Sequence, residues 1–187
     1  MQTPKGFTLP ELLVVLALIT ITLTQVSTNL TDTFDQTKLL TIQHELGQQL
    51  QLARSEAIKR NRKVTLCKSD LDTQCNTSAE WESGWILFEN IDGDGNIDGD
   101  DTILTKHHAL SSGITVRGVG NFKNRVTYKP TGDSTSFSRL VLCSHNQLNG
   151  AQVLYINSTG RIRSALDSDG DGTPEDSNGN NIRSCET

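Results

Sequence analysis

The chain has 187 residues, which suits one domain with an appendage, and its hydrophobic share of 34% and aromatic share of 5% limit the size of its core. The net charge of −5 is unevenly spread, because five acids lie in Asp92–Asp101 and six in Asp167–Thr187. Sixteen bases outnumber the eleven remaining acids, so the rest of the chain carries about +5. The composition therefore excludes a uniformly acidic surface.

The first predicted element is an apolar segment near the N-terminus. Leu12–Thr31 contains no charged residue and Leu12–Leu23 is strongly apolar, which suits one membrane-spanning helix of marginal length. A secretory signal would have a longer basic start and a cleavage site after the apolar run. Here the small residue, Gly6, precedes the run, so cleavage there would leave the helix on the mature protein. Glu11 is conspicuous because a carboxylate in lipid is costly and usually functional.

The stretch G-F-T-L-P-E-L-L-V, which begins at Gly6, resembles the class III leader of type IV pilins and pseudopilins. In that family a prepilin peptidase cuts between the Gly and the Phe and methylates the new N-terminus. The resemblance implies that residues 1–6 are a cleaved leader and that Phe7 is the first mature residue. It also implies that Glu11 meets the new amine of Phe7, its own or a neighbour's, so that two buried charges neutralise each other during assembly.

An amphipathic segment follows the apolar one. Its apolar residues recur at steps of three and four: Leu39, Ile42, Leu46, Leu50, Ala53 and Ala57. This pattern predicts one long helix from about Phe7 to Arg60. Residues 7–31 would form its transmembrane or filament-core half, and residues 32–62 would form the amphipathic half that packs on a globular head.

Residues 63–187 are predicted to form that head, with an acidic tail from about residue 167. Short β-branched or aromatic runs separated by Gly, Asn and Ser predict antiparallel strands: Lys63–Lys68, Gly84–Glu89, Thr102–His107, Gly113–Gly118, Arg125–Lys129, Arg139–Ser144, Gln152–Asn157 and Gly160–Ala165. A helix followed by strands indicates an α+β fold, with the helix packed on one face of a small sheet.

Three separated stretches, LQLARSEAIKRNRKVTLCKS, WESGWILFEN and NSTGRIR, together resemble the GspH/FimT group of pilin-like proteins. The likeness runs from Gly6 to about Arg163. It implies the type IV pilin-like fold, a long N-terminal helix packed on a C-terminal antiparallel sheet. It also implies a single-pass inner-membrane protein of a Gram-negative bacterium, with a periplasmic head that later joins an extracellular pilus.

The same resemblance leaves two roles open. The first is a minor pilin of a type IV pilus, which helps to initiate assembly or sits at the tip together with other minor and major pilins. The second is a minor pseudopilin of a type II secretion system. The leader, helix and head are common to both roles, so the sequence alone does not separate them.

The chain has four cysteines, Cys67, Cys75, Cys143 and Cys185, without the C-x-x-C spacing or the His pair of a zinc site. If the N-terminus directs export, the even count favours two disulfides. Three connectivities are open. We favour Cys67–Cys75, which would close a short polar loop, with Cys143–Cys185, which would hold the tail.

Two acidic loops have alternating carboxylates with intervening glycines, as in calcium-binding loops of the EF-hand type. The second loop offers Asp167, Asp169, Asp171 and Glu175, but position twelve is Asn178. The first loop is the weaker candidate and offers Asp94, Asn96 and Asp98. Neither has flanking helices or the closing acid, so solvated Asp/Gly turns are the alternative to a Ca²⁺ site.

The run Gly160–Arg163 reads G-R-I-R. On a strand Arg161 and Arg163 point to the same face, where two guanidiniums could contact successive phosphates. In FimT-like minor pilins of naturally competent bacteria a G-R-x-R motif binds DNA during uptake, so the resemblance implies that these arginines contact double-stranded DNA. The alternative is that they pair with Asp167 or Asp169. Supporting charge would come from Arg117, Lys123, Arg125 and Lys129.

No catalytic motif accompanies the four histidines, His44, His107, His108 and His145. The sequence contains no G-x-S-x-G, no H-E-x-x-H and no phosphate-binding loop. We therefore expect a structural or binding protein rather than an enzyme.

Overall fold

A computed structural model describes residues 6–135 and 138–185. The chain divides into two compact units, Met1–Thr37 and Lys38–Thr187. One helix, α1, spans Leu9–Arg60. Its first part belongs to the first unit, and its second part, from Lys38, begins the second unit. Its C-terminus is capped by Asn61, which adopts the left-handed conformation (φ 54°), while the N–H of Arg62 donates to the carbonyl of Ala57 at 3.2 Å.

The apolar part of α1 is interrupted by threonines after Ile19. Their hydroxyls are satisfied within the helix, since Thr20 Oγ1 donates to the carbonyl of Ala17 at 2.8 Å and Thr22 Oγ1 to that of Ile19 at 2.9 Å. Across the residues that the structure describes, no helix is both long and apolar enough to cross a membrane.

In the described part of the chain eight strands follow the helix, and each lies within or overlaps one of the eight runs predicted from the sequence. They are β1 (Val64–Lys68), β2 (Trp85–Glu89), β3 (Thr102–His107), β4 (Ile114–Gly118), β5 (Arg125–Tyr128), β6 (Ser138–Ser144), β7 (Gln147–Ile156) and β8 (Ile162–Ser164). Two short 3₁₀ turns, Trp81–Ser83 and Gly120–Phe122, lie between them. The α+β fold class predicted from the sequence is confirmed.

The strands form two four-stranded antiparallel sheets instead of the one small sheet expected. The first sheet has the order β3-β2-β1-β5 and the second β4-β6-β7-β8. The chain changes sheets after β4 at the 3₁₀ turn Gly120–Phe122. Gly118 permits this turn, because a Cβ there would lie 2.2 Å from the carbonyl oxygen of Phe122.

Both sheets share one hydrophobic core with the second part of α1. The apolar stripe predicted from the sequence, Leu39 to Ala57, is buried, and Leu46, Leu50 and Ala53 are fully inaccessible to solvent. Trp81 and Trp85 are also fully buried in this core, where their role is packing. Alternate residues of each strand contribute to it, and the others face outward.

The outward faces of the sheets carry two smaller cores, and each contains one disulfide. Cys67–Cys75 lies beside Ile86 and Phe88 on the first sheet. Cys143–Cys185 ties the C-terminal tail onto the second sheet, where Ile182 is buried. Both disulfides of the favoured pairing are thus present, and the tail covers a sheet instead of extending into solvent.

Candidate functional site

The arginines of the G-R-I-R run lie on and just before β8, at the edge of the second sheet. A tight turn leads into this strand: the N–H of Gly160 donates to the carbonyl of Asn157 at 2.9 Å. The side chain of Asn157 accepts the N–H of Arg161 at 2.9 Å and the hydroxyl of Thr159 at 2.8 Å. The turn therefore fixes where β8 begins.

Gly160 is required by this turn for two reasons. Its φ of +75° lies in the left-handed region, and a Cβ would meet the carbonyl oxygen of Gly132 at 2.2 Å and the ring of Tyr128 at 2.9 Å. The buried Tyr128 hydroxyl donates to the carbonyl of Gly160 at 3.4 Å. Burial raises the pKa of the Tyr128 phenol, so it stays protonated as a donor. The glycine of the motif thus has a structural role.

Arg161 and Arg163 are exposed and lie on one face of the strand, opposite Ile162, which packs against the main core. Neither arginine makes an ion pair within 4.0 Å among the described residues. The alternative pairing with Asp167 or Asp169 is not found there. Instead, Asp167 accepts the N–H groups of Gly170 and Gly172, each at 2.8 Å, and Asp169 accepts that of Asp171 at 3.1 Å.

The bases proposed as supporting charge are dispersed. Arg117 contacts the Glu82 carboxylate at 2.6 Å, which anchors β4 to the 3₁₀ turn Trp81–Ser83. Arg125 donates to the carbonyl of Asp94 at 3.0 Å, at the other sheet. Lys123 and Lys129 are exposed. The expectation that all four supplement the arginines is therefore wrong for Arg117 and Arg125.

Arg54, on α1, is a further base near the motif, and the sequence analysis did not predict it there. Its Nη2 donates to the carbonyl of Thr159 at 3.2 Å, so the helix holds the turn that precedes β8. Arg54 and Thr159 are more than one hundred residues apart in the sequence, and no local pattern joins them. Helical periodicity does place Arg54 beside the buried stripe, but it does not specify which loop it meets.

The second acidic loop brings three of its four predicted ligands together. Carboxylate oxygens of Asp167, Asp169 and Glu175 lie within 4.8 Å of one another. Hydrogen bonds from the hydroxyl and N–H of Ser168 lower the pKa of Glu175, which keeps this largely buried carboxylate ionised. Asp171 is not in the group, because its carboxylate accepts hydrogen bonds from the Thr173 N–H and the Asn181 amide.

The first acidic loop also gathers three carboxylates, those of Asp92, Asp94 and Asp98. Asn96, which was predicted as a ligand, is not part of this group, and its amide nitrogen donates to the Asp94 carboxylate at 2.7 Å. Desolvation and the neighbouring carboxylates raise the pKa of Asp98. Two cations lie against this loop: the Arg125 guanidinium is beside Gly95 and the Lys63 ammonium is beside Gly93. This positive charge opposes the binding of a metal ion.

At the N-terminus, Gly6–Thr8 precede the helix, and Phe7 is 79% exposed. The Gly6–Phe7 bond is therefore accessible and outside regular structure. Glu11 is exposed in the first turn of α1, where a carboxylate complements the helix dipole. The large apolar residues between Leu9 and Ile21 expose 45–74% of their surfaces and form a contiguous apolar surface of the kind that soluble monomers rarely leave exposed.

Comparison with known families identifies the chain. The family described as type II transport protein GspH matches residues 43–160, and the prokaryotic N-terminal methylation motif matches residues 1–24. The chain belongs to the GspH family. No curated protein sequence matches it. The family assignment agrees with the GspH/FimT resemblance noted from the sequence.

Solved structures extend the GspH-family assignment to the fold. The type IV minor pilin FimU of Pseudomonas aeruginosa superposes with a TM-score of 0.58 at 22% identity, covering 81% of this chain and 97% of FimU. The minor pseudopilin EpsH of the Vibrio cholerae type 2 secretion system gives a TM-score of 0.50 at 14% identity, covering 70% of this chain and 98% of EpsH. The chain therefore has the fold of minor pilins and pseudopilins.

Gly160 and Gly170 form a matched pair for testing the role of the motif glycine. Their φ values are +75° and +77°, but a Cβ at Gly170 would meet nothing within 4 Å. We expect Gly170→Ala to lower the free energy of unfolding by about 1 kcal/mol, from the backbone alone. Gly160→Ala should cost about 3 kcal/mol or more, because it adds the contact with Gly132. Denaturant titration of the two variants measures the difference, and equal losses would contradict the packing role.

Proposed function

We propose that this GspH-family chain is a minor pilin of a type IV pilus and takes part in assembly at or near the tip. The proposal is carried by the exposed apolar surface of Leu9–Ile21, which directly follows an accessible Gly6–Phe7 bond. Such a surface requires a lipid or protein partner. Before assembly the apolar segment is held in the inner membrane with the head in the periplasm, and afterwards it packs among the helices of other minor and major pilins.

The alternative is a minor pseudopilin of a type II secretion system, and the description of the matching family favours it. The likeness to FimU is stronger than that to EpsH in both TM-score and identity. This difference supports the pilus as the first candidate. In either setting the chain works as a subunit of an assembly, and we propose no enzymatic activity.

Processing by a prepilin peptidase at Gly6–Phe7 would give the mature chain a methylated N-terminal amine. Glu11 lies four residues further on, in the first helical turn. Inside a bundle of helices its carboxylate would neutralise an amine of this or a neighbouring subunit. A buried charge that loses its partner costs about 3–5 kcal/mol.

Glu11→Val should therefore block incorporation while leaving the chain in the membrane. In a strain with this variant as its only copy, we expect processed protein in the membrane fraction, little of it in sheared filaments, and fewer surface pili. Thr8→Val is the matched control, because Thr8 lies at the same end of the segment and carries no charge. Normal piliation together with a loss of secreted proteins would contradict the pilus assignment and favour type II secretion.

A second proposed activity is the binding of double-stranded DNA by Arg161 and Arg163, for uptake during transformation. Their exposure on one strand face and their lack of ion pairs within the described residues support it. The nearby carboxylates accept hydrogen bonds from backbone N–H groups, so they do not neutralise the arginines directly. Contacts of this type recognise phosphates and carry no sequence preference.

We expect Arg161→Gln/Arg163→Gln to weaken the retention of a duplex in gel shifts and to reduce the slope of log affinity against log salt by about 2. Lys59→Gln/Lys106→Gln is the control: it removes the same charge from exposed positions on the helix and the first sheet. If both double variants weaken binding equally, only the net charge matters. If neither does, these arginines bind no DNA.

A third proposal concerns Ca²⁺ at the second acidic loop. Asp167, Asp169 and Glu175 supply converging carboxylate oxygens, the donor type that Ca²⁺ prefers. Backbone carbonyls and water would complete the coordination. The first loop is the weaker site because Lys63 and Arg125 lie against it.

Ca²⁺ at ten times its dissociation constant should stabilise the head by about 1.4 kcal/mol, equivalent to about 3 °C in Tm. We expect this increase in the wild type and in Asp98→Asn, and its loss in Asp169→Asn. Thermal unfolding with Ca²⁺ or with a chelator provides the measurement. The reverse pattern would assign Ca²⁺ to the first loop, and an unchanged wild-type Tm would exclude both sites.

A further inference from the structure

The backbone of β8 has an unused edge. Arg161, Arg163 and Ala165 face β7: the N–H of Asn157 donates to the carbonyl of Arg161 at 3.1 Å, that of Ala165 donates to Val153 at 2.9 Å, and Arg163 is opposite Tyr155. Antiparallel strands alternate, so Ile162 and Ser164 direct their N–H and C=O groups away from β7. None of these four groups has a partner in the part of the chain that the structure describes.

At two other sheet edges, those of β4 and β5, outward backbone groups have hydrogen-bond partners. On β4, the outward N–H of Val116 donates to the Glu82 carboxylate at 3.2 Å. On β5, the outward carbonyl of Thr127 accepts the N–H of Thr135 at 2.9 Å. Backbone groups at a sheet edge form a template for another strand unless they are satisfied in this way. The edge of β8 has no such cover among the described residues, unlike the edges of β4 and β5.

A groove of about 210 Å³ runs between this edge and the second part of α1. Residues Ile162–Ser164 form one wall and the helix forms the other. The helical wall is polar, with Gln43, His44, Gln48 and Gln51. Amide side chains offer both donors and acceptors, which suits a ligand that has unpaired backbone groups of its own.

Gly47 lies at the centre of the helical wall. A glycine inside a helix costs about 1 kcal/mol relative to alanine, and helical glycines commonly make room for a neighbouring group. At Gly47 no such neighbour is present, because a Cβ would meet nothing within 4 Å. The missing side chain therefore keeps the groove open without serving the packing of the head itself.

We propose that the groove receives an extended, acidic segment of another protein chain, which adds to the second sheet as a strand beside β8. Its backbone would bond to Ile162 and Ser164. Its carboxylates would pair across the strands with Arg161 and Arg163, which are exposed and make no ion pair among the described residues. Strand addition of this kind gains affinity from main-chain hydrogen bonds and specificity from side chains on both sides.

This proposal is independent of DNA binding. Arg161 and Arg163 lie on the strand face opposite Ile162, and only Arg163 also borders the groove. Gly47 and the helical wall lie across the groove from the strand edge. Filling the groove should therefore block a strand and leave a phosphate contact on the arginines intact. Removal of the arginines should weaken both.

The test uses full-length protein in detergent and a fluorescein-labelled peptide of alternating glutamate, valine and threonine residues, followed by anisotropy. We expect Gly47→Leu to weaken binding by at least about tenfold, while Gly47→Ala, which leaves the groove open, binds like the wild type. Both substitutions favour the helix, and unchanged thermal unfolding confirms that the fold is kept. A peptide with lysine in place of glutamate should bind at least about tenfold more weakly.

N-methylated peptides distinguish strand pairing from contact through side chains alone. Methylation at one set of alternate residues should abolish binding, and methylation at the other set should preserve it, since only one edge of the added strand faces β8. The proposal is overturned if the acidic peptide does not bind, if both methylated sets bind equally, or if Gly47→Leu binds it normally. It is also overturned if Gly47→Leu abolishes the binding of a duplex but not of the peptide.

Discussion

The head depends on one constraint: a single apolar stripe of α1 must cover two sheets. Leu46 and Leu50 are fully buried, and Ala53 and Ala57 further along allow strands to approach the helix closely. Burial of each leucine contributes about 2–3 kcal/mol. Removal of the helix would therefore open both sheets together. The outer faces of the sheets depend less on it, because disulfide-tied loops and the C-terminal tail cover them.

The elements of this fold could be predicted from the sequence because they follow local periodicities. Steps of three and four identified the buried stripe of α1, and β-branched runs identified all eight strands. The division into two sheets could not be predicted in this way. It requires β5 to return to β1 while β4 pairs with β6, and strand partners far apart in sequence leave no periodic signal.

The candidate sites also divide into those that local sequence predicts and those that depend on contacts between distant residues. The leader, Glu11 and the two arginines are local motifs and can be read from a few residues. Arg54 and Gly47 belong to the helix, and their relation to the region around β8 arises only when residues more than one hundred positions apart meet. The acidic tail combines both cases: the favoured Cys143–Cys185 pairing predicted that it is held to the head, but the burial of Ile182 against the second sheet has no local signal.

The tail also changes the electrostatics around β8. An acidic segment next to two arginines would ordinarily neutralise them, and the sequence offered Asp167 and Asp169 as partners. The folded tail uses these carboxylates to accept backbone N–H groups within its own turns. Local hydrogen bonds of this kind compete with long-range ion pairs, whose contribution at a surface is at most about 1 kcal/mol. The arginines consequently remain available to a partner, while the acids that follow them stabilise the turns of the second acidic loop.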